Sequence, residues 1–249
     1  MRFIKKTITL LLVLALLAAG YTAYKGWSLY KDVTDEVSVE QKVEDIRSQQ
    51  HYTEYEELPE TYVQAVIAGE DKRFRDHGGF DIIATGRAVL QNIKAGEMIQ
   101  GGSTITQQLA RNMYFDQDKD LARKIAEVFV AFEIEDKYDK DEILELYVNT
   151  IYFGSGYYNI YDASQGYFGK DPSALSDYEA TMLAGIPNAP SVYDLNVNPD
   201  LAEQRRQQII TCMVKEGYIE EGEIEQQYSQ AVKHISPVQF RMENQWEIM

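Results

Sequence analysis

The sequence predicts an all-α fold class, with one apolar helix at the N-terminus. Apolar residues recur at three- and four-residue intervals over much of the chain, which is the spacing of one helix face. Alternating runs rich in Val, Ile and Thr, joined by hairpin turns, are nearly absent. A long uncharged run close to the start is the third observation, and it predicts the N-terminal helix.

Composition excludes several classes of protein. The 249 residues are 45% hydrophobic, enough to bury a core, so wholesale disorder is excluded. The chain has 40 acidic residues against 24 Lys and Arg, for a formal net charge of −16. We expect no nucleic-acid partner. Most non-specific affinity for nucleic acid comes from basic side chains that neutralise phosphates, and this chain is strongly acidic. Cys212 is the only cysteine, which excludes an intrachain disulfide and a cysteine-based zinc site.

The first element is a membrane anchor. Thr7–Tyr24 is a run of 18 uncharged residues, about 27 Å long as a helix, which is enough to cross a hydrocarbon core. Three basic residues, Arg2, Lys5 and Lys6, precede it and predict a cytoplasmic N-terminus with the rest of the chain outside. A cleaved signal peptide is the alternative, but the small-residue cleavage pattern is weak. We therefore expect a retained anchor over residues 1–24.

Behind the anchor, we predict a juxtamembrane stalk over 25–57, a main domain over 58–233 and a C-terminal tail over 234–249. The main domain carries one-sided apolar stripes that predict helices, at Tyr62–Phe74, Ile82–Ile93, Leu121–Phe132 and Ile143–Ile151. Asp81 is placed to cap the second of these, and Asp139 with Glu142 resembles a capping box for the fourth. Two further helices are predicted over Tyr178–Ala184 and Leu201–Val214.

Three segments are more polar than their surroundings. In the first, Glu70 and Asp71 end a helical stripe, where one carboxylate can act as a general base; a solvated helix end paired to nearby cations is the alternative. The second begins at Gly101-Gly102-Ser103, a glycine turn opening a helix, which favours anions but is a common helix start. In the third, Arg123 and Glu127 lie on one helix face. They form either a surface ion pair or a carboxylate held beside cations that faces a cleft.

Taken together, these segments resemble the signature of family-51 glycosyltransferases, the peptidoglycan glycosyltransferases. The motifs in order are Glu70-Asp71-x-x-Phe74-x-x-His77-x-Gly79, Gly101-Gly102-Ser103-Thr104-Ile105-Thr106-Gln107-Gln108, and Arg123-Lys124-x-x-Glu127. Two later stretches agree, Ile143–Gly154 and Leu183–Ser191, and the resemblance covers about residues 58 to 215. With one N-terminal span and no penicillin-binding domain, the chain resembles the monofunctional, membrane-anchored form.

The resemblance implies a lysozyme-like large lobe, a smaller membrane-proximal lobe, and lipid II with the growing glycan chain as substrate. By that resemblance, Glu70 is the base in an inverting transfer and Glu127 the second essential glutamate. The residues implied to bind the substrate's pyrophosphate are Ser103, Gln108, Arg111, Lys119, Arg123 and Lys124. Those implied to shape the cleft are Asp71, Phe74, His77, Gly101, Gly102 and Thr104.

Several expectations accompany this interpretation. The product is a β-1,4 glycan strand, polyprenyl pyrophosphate is released, and membrane lipid and other cell-wall synthesis proteins are candidate partners at the bacterial cell membrane. A divalent cation, Mg²⁺ or Mn²⁺, at the pyrophosphate is left open, and no organic cofactor is expected. The alternatives are a lysozyme-like glycan hydrolase and an inactive membrane-anchored scaffold. The stripe Ile82–Ile93, with Met98 and Ile99 beyond it, is interpreted either as a membrane-interface surface or as packing on the small lobe.

Overall fold

The computed structural model describes residues 2–96, 101–116, 120–224 and 226. Within these residues it contains α-helices and short 3₁₀ turns and no strand, which confirms the all-α prediction. The helices are α1 Arg2–Glu36, α2 Val39–Arg47, α3 Glu60–Glu70, α4 Ile82–Ala95, α5 Ile105–Tyr114, α6 Leu121–Lys137, α7 Lys140–Val148, α8 Ile160–Phe168, α9 Asp177–Gly185 and α10 Pro199–Glu216. The 3₁₀ turns are Tyr55–Glu57, Pro172–Ala174 and Ile186–Asn188.

The N-terminal helix is present and longer than the uncharged run. Phe3–Glu36 contains an 18-residue window of mean hydropathy 1.9, none of it buried, and is long and apolar enough to cross a membrane. Its C-terminal part packs on α6 through Gly26. A Cβ at Gly26 would lie 2.5 Å from Ile125 Cγ2 and 2.9 Å from the carbonyl oxygen of Ala122, so only glycine allows this helix crossing.

The segment predicted as a stalk joins the body of the protein. Ser38 accepts a hydrogen bond from the amide of Gln41 at 3.2 Å and caps α2. The apolar face of α2 is buried in the main core through Val39, Val43 and Ile46. The boundaries at residues 24, 57 and 233 stay predictions, and the predicted tail lies outside the described residues.

The core brings α3, α5, α7, α9 and α10 together. α3 packs on α9 and α10, whereas α5 packs on α6 and α7. Gly69 sets the closeness of α3 to α10, because a Cβ there would lie 2.2 Å from Ile209 Cδ1. The end of α3 therefore lies beside α10, and this contact places the next residue, Glu70, within reach of α10 side chains.

The predicted helix caps are confirmed. Asp81 Oδ1 accepts hydrogen bonds from the amides of Ile83 at 2.8 Å and Ala84 at 3.0 Å, at the start of α4. Asp139 and Glu142 form a capping box at the start of α7. The outward face of α4 is exposed, with more than half of each of five apolar residues accessible: Ile82, Ile83, Val89, Leu90 and Ile93. The other two residues of this predicted surface, Met98 and Ile99, lie outside the described residues.

Candidate active site

Glu70 is the last residue of α3, and both of its carboxylate oxygens are bound. Gln108 Nε2, from α5, donates to Oε2 at 3.1 Å. Arg205 Nη2, from α10, donates to Oε1 at 3.2 Å, and the Glu70 side chain is only 6% exposed. Two charged or polar partners from two different helices therefore fix the orientation of a nearly buried carboxylate.

Two buried tyrosines lie near this carboxylate. Tyr147 is fully buried, and its hydroxyl is 3.5 Å from Gln108 Oε1. Burial and the negative charge of Glu70 raise the pKa of the Tyr62 and Tyr147 hydroxyls. Both tyrosines therefore stay protonated at neutral pH, so neither hydroxyl adds a negative charge beside Glu70.

Asp71 ties the end of α3 to the start of α5. Its Oδ2 accepts a hydrogen bond from the amide of Ile105 at 3.0 Å, and its Oδ1 lies 2.8 Å from His77 Nε2. The other ring nitrogen of His77 contacts the carbonyl oxygen of Gly78. Burial lowers the pKa of His77, but these two hydrogen bonds outweigh it and the pKa lies above its ordinary value. Asp71, held by His77, therefore connects the end of α3 to the start of α5.

The glycine turn before α5 is held by side-chain and backbone contacts. Thr104 forms a capping box with Gln107, and its hydroxyl donates to the carbonyl oxygen of Gly79 at 3.0 Å. A Cβ at Gly102 would lie 3.1 Å from the Cα of Thr85, so this glycine allows the turn to approach α4 closely. Gly101 has open space around its Cβ position and carries no such constraint.

Glu127 is a fully buried carboxylate between two cations. Lys124 Nζ is 2.7 Å from Oε2, and Arg123 pairs with Oε1 from one turn earlier in α6. Lys124 Nζ also donates to the hydroxyl of Ser103 at 2.8 Å. Because the carboxylate is 0% exposed, this is not the surface ion pair that the spacing alone allows. The arrangement links the glycine turn to α6 and holds two cations side by side.

The structure places the remaining predicted residues in three ways. Arg111 lies near Tyr147, whose pKa it lowers in part, and its Nε is buried without a hydrogen-bond partner among the described residues. Phe74 is fully buried in the core, with Lys140 Nζ 4.5 Å from its ring centre. Lys119 lies outside the described residues.

A cavity of about 330 Å³ contains Glu70 and the glycine turn. It lies between the end of α3, α4, the turn and α10, and Ser103, Arg73, Arg87 and Lys215 are among its lining residues. Glu70 and Ser103 thus face one space, and Lys124 reaches Ser103. The cavity combines a carboxylate able to accept a proton with basic side chains, of which Arg73 is paired with Asp81 and Lys72 with Glu216.

Sequence reasoning missed Arg205. This residue is 135 positions from Glu70 in the chain, and its Nε also lies 3.4 Å from the carbonyl oxygen of Gly185. The only local signal is that Arg205 stands four residues before Ile209 on α10, the face that packs on Gly69. That spacing indicates an inward-facing arginine without indicating its partner.

The acidic side chains around the site also contact other groups of the protein. Asp71, His77 and Asp81 lie close enough to share a cation. Asp71 is engaged by Ile105 and His77, however, and Asp81 Oδ2 lies 3.1 Å from Arg73 Nε. Glu127 pairs with two cations.

Comparison with known proteins identifies relatives of this chain. A family model described as Transglycosylase matches residues 37–214, beginning inside the predicted stalk. Penicillin-binding protein 1A of Aquifex aeolicus (strain VF5) is 42% identical over 196 residues, 79% of this chain and 26% of the relative. Penicillin-binding protein 1F of Bacillus subtilis (strain 168) is 47% identical over 163 residues, 66% of this chain and 23% of the relative. The chain thus spans about a quarter of the length of these relatives.

Among solved structures, the crystal structure of penicillin-binding protein 1A from Haemophilus influenzae is 26% identical to this chain. The match covers 53% of this chain and 16% of that chain, with a TM-score of 0.34. At that score the likeness is too weak to carry a structural comparison.

Proposed function

The chain belongs to the family of peptidoglycan transglycosylases, and from that membership we propose that it polymerises lipid II into β-1,4-linked glycan strands at the bacterial membrane. The observation that carries the proposal is the oriented carboxylate of Glu70 in a cavity that it shares with Ser103, which Lys124 contacts. A lipid-linked sugar pyrophosphate needs a base for the attacking hydroxyl and positive charge for the departing anion.

In the proposed step, Glu70 acts as the general base. The 4-hydroxyl oxygen of the acceptor sugar attacks the anomeric carbon of the growing chain, and its proton passes to the carboxylate of Glu70. The bond from that carbon to the pyrophosphate oxygen breaks, and the electron pair leaves with the polyprenyl pyrophosphate. Attack opposite the leaving group converts the α linkage of the donor into a β linkage. An ionised carboxylate accepts about four hydrogen bonds, so the contacts with Gln108 and Arg205 leave room for the hydroxyl.

Positive charge for the leaving group is proposed to come from α6 and α5. Lys124 and Arg123 are held by Glu127, and Ser103 adds a hydroxyl beside Lys124. In this role Glu127 is a positioning residue, because both of its oxygens contact cations of the protein. Arg111, which is partly exposed on α5, is proposed to add positive charge near the pyrophosphate.

Attachment to the bilayer fits a lipid-borne substrate. We propose that α1 spans the membrane with its N-terminus in the cytoplasm, since three basic residues precede the apolar run. The exposed apolar face of α4 then dips into the interface beside the cavity that contains Glu70. Both features keep the substrate's pyrophosphate close to the cationic residues while its tail stays in lipid.

A lysozyme-like hydrolase is less well supported than a polymerase. Such an enzyme acts on a neutral glycosidic bond and has no need of paired cations beside a glycine turn. The decisive experiment incubates the detergent-solubilised full chain with labelled lipid II and, separately, with purified glycan. The proposal predicts muramidase-digestible polymer and release of one polyprenyl pyrophosphate for each bond formed. New reducing ends from purified glycan, with no polymer from lipid II, would instead establish the hydrolase.

A further inference from the structure

The N-terminal helix α1 packs along α6, the helix whose first turn carries two of the cations proposed to bind the pyrophosphate. Gly26 of α1 lies against Ala122 and Ile125 at the start of α6. One turn further along both helices, the Tyr30 ring packs on the Phe129 ring with centres 5.7 Å apart. The two helices therefore run side by side in the same direction, and their contacts fix one register.

Polar contacts hold this register beyond the two aromatic rings. The Tyr30 hydroxyl donates to Glu133 Oε2 at 2.8 Å. Lys137, one turn later on α6, lies 2.6 Å from Glu133 Oε1 and 2.7 Å from Glu40 Oε1 of α2. A shift of α1 along α6 by one turn would break these contacts together with the packing at Gly26. The end of α1 and the start of α6 therefore keep one relative height.

Three features indicate that the membrane surface lies near Gly26. The uncharged run of α1 ends at Tyr24, two residues or about 3 Å before Gly26. Tyr21, Tyr24 and Trp27 have exposed side chains at this end of the run, and aromatic residues are enriched where a span meets the interface. Leu121, the first residue of α6, is 67% exposed at the same level, where lipid would cover it.

The substrate of the proposed reaction carries its pyrophosphate at a restricted depth. The first phosphate is joined directly to the polyprenyl tail, so it cannot rise far above the hydrocarbon while the tail stays in the bilayer. Arg123 and Lys124 lie between the two residues of α6 that contact Gly26. They are therefore at the level of Gly26, about 3 Å beyond the end of the uncharged run. The two cations and the first phosphate are at matching heights.

We infer that α1 does more than attach the enzyme to the membrane: its packing on α6 holds Arg123 and Lys124 at the depth of the lipid-linked pyrophosphate. This inference rests on the proposed polymerase function. Gly26 and Tyr30 are positioning residues in this role, since they act through α6. A flexible connection would keep the enzyme at the membrane but leave the two cations at variable heights, and ordering them would weaken substrate binding. The fixed register removes that cost.

The first test changes the height of the body without changing its packing. A helical segment of seven residues, rich in Ala with one Glu and one Lys, is inserted between Lys25 and Gly26 of the full chain. Seven residues lengthen α1 by about 10 Å and make close to two turns, so both parts of the helix keep nearly the same faces. The matched control carries the same segment between Lys6 and Thr7, at the cytoplasmic end of the span.

Polymerisation is measured with long-chain lipid II in proteoliposomes and with a short-chain lipid II in detergent, where no bilayer sets the height. We expect the insertion before Gly26 to lower the rate several-fold in proteoliposomes and to leave the rate in detergent equal to that of the control. Equal rates for the two insertions in proteoliposomes would overturn the inference. Equal losses in both assays would also overturn it, because the requirement for α1 would not depend on the bilayer. Failure of the wild type in both assays would count against the proposed function.

The second test measures height without turnover. In a Cys212→Ser background, a nitroxide is attached to Leu121→Cys or, as a control, to Phe132→Cys, which is exposed about 16 Å further along α6. The full chain is placed in lipid nanodiscs, and EPR measures collisions of the nitroxide with oxygen and with a water-soluble nickel chelate. We expect oxygen to dominate for Leu121→Cys and the chelate to dominate for Phe132→Cys.

The same label also reports the effect of the insertion. With the segment inserted before Gly26, the Leu121→Cys label should become accessible to the nickel chelate, because the start of α6 rises above the interface. Unchanged accessibility of this label after the insertion would overturn the inference, even if no polymer is made in the first test. Equal access of the chelate to Leu121→Cys and Phe132→Cys without the insertion would overturn it as well.

Discussion

At the scale of single residues, the proposed catalysis depends on how the protein holds one carboxylate. Glu70 is nearly buried, and a buried carboxylate is costly unless it is paired and hydrogen-bonded. Arg205 and Gln108 provide these partners, one on each carboxylate oxygen. Orientation of the base is therefore a property of three helices, with the reacting group at the end of α3.

Arg205→Gln is expected to lower kcat about 10- to 100-fold with little change in KM, since it removes a charge-assisted hydrogen bond worth about 1.5–3 kcal/mol. Arg205→Lys should restore part of the rate, because it keeps the charge without the fork geometry. Steady-state kinetics with lipid II check this. Arg75→Gln, in an exposed pair with Asp141, is the control and should behave as wild type. Equal kcat values for Arg205→Gln and this control would refute a positioning role for Arg205.

His77 is expected to make folding stability depend on pH. Its pKa in the folded protein is raised above the ordinary 6.5. The charged ring therefore contributes its full stabilisation below about pH 6.5, and this stabilisation is lost as the pH rises through the folded-state pKa. The difference in unfolding free energy between wild type and His77→Gln should thus shrink from about pH 6 to about pH 9. Chemical denaturation at both pH values measures it. A difference that stays constant would mean that the charged ring does not brace Asp71.

At the scale of elements, substitutions at two glycines of α1 distinguish the effect of helix packing on stability from the effect of helix propensity. Gly26→Ala is expected to destabilise the protein by about 1–3 kcal/mol, because the new Cβ meets Ile125 and the backbone of Ala122. Gly20→Ala lies in the same helix with nothing within 4 Å, and it should be neutral or stabilising. Thermal unfolding in detergent compares them. Equal stability of the two variants would contradict close packing of α1 on α6.

Sequence reasoning was most successful where the signal is local. Helix faces and caps, such as Asp81 and Asp139, depend on residues within one or two turns, and the structure confirms them. The segment predicted as a stalk shows the limit, because the short stripe Val39, Val43 and Ile46 lies among charged residues and its burial depends on the rest of the core.

The candidate site shows the same limit in its long-range contacts. Glu70 and Gln108 belong to motifs that the sequence displays, but Arg205 reaches Glu70 across the contact between α10 and α3, where Gly69 lies against Ile209. Likewise, the spacing of Arg123 and Glu127 allows an ion pair, whereas the complete burial of Glu127 is a property of the fold. Distances across the chain require the packed structure.

At the scale of the whole molecule, the proposed polymerase function requires the body to lie outside the cytoplasmic membrane. In a Cys212→Ser background, a membrane-impermeant maleimide added to intact spheroplasts should label Val192→Cys, whose native side chain is 45% exposed. Lys5→Cys should be labelled only after permeabilisation. The opposite pattern would place the site on the cytoplasmic side and rule out the proposed topology.

The most direct test of the central claim compares Glu70→Gln with Glu56→Gln, an exposed control that makes the same chemical change. Both full-length variants are assayed beside wild type for initial polymerisation of lipid II, with thermal unfolding to show that they are folded. We expect the initial polymerisation rate to fall about 10²- to 10⁴-fold for Glu70→Gln, because this variant retains the size of the side chain but loses the proton acceptor. The control should have wild-type activity. A folded Glu70→Gln variant that polymerises at the wild-type rate would contradict the claim that this carboxylate is the base.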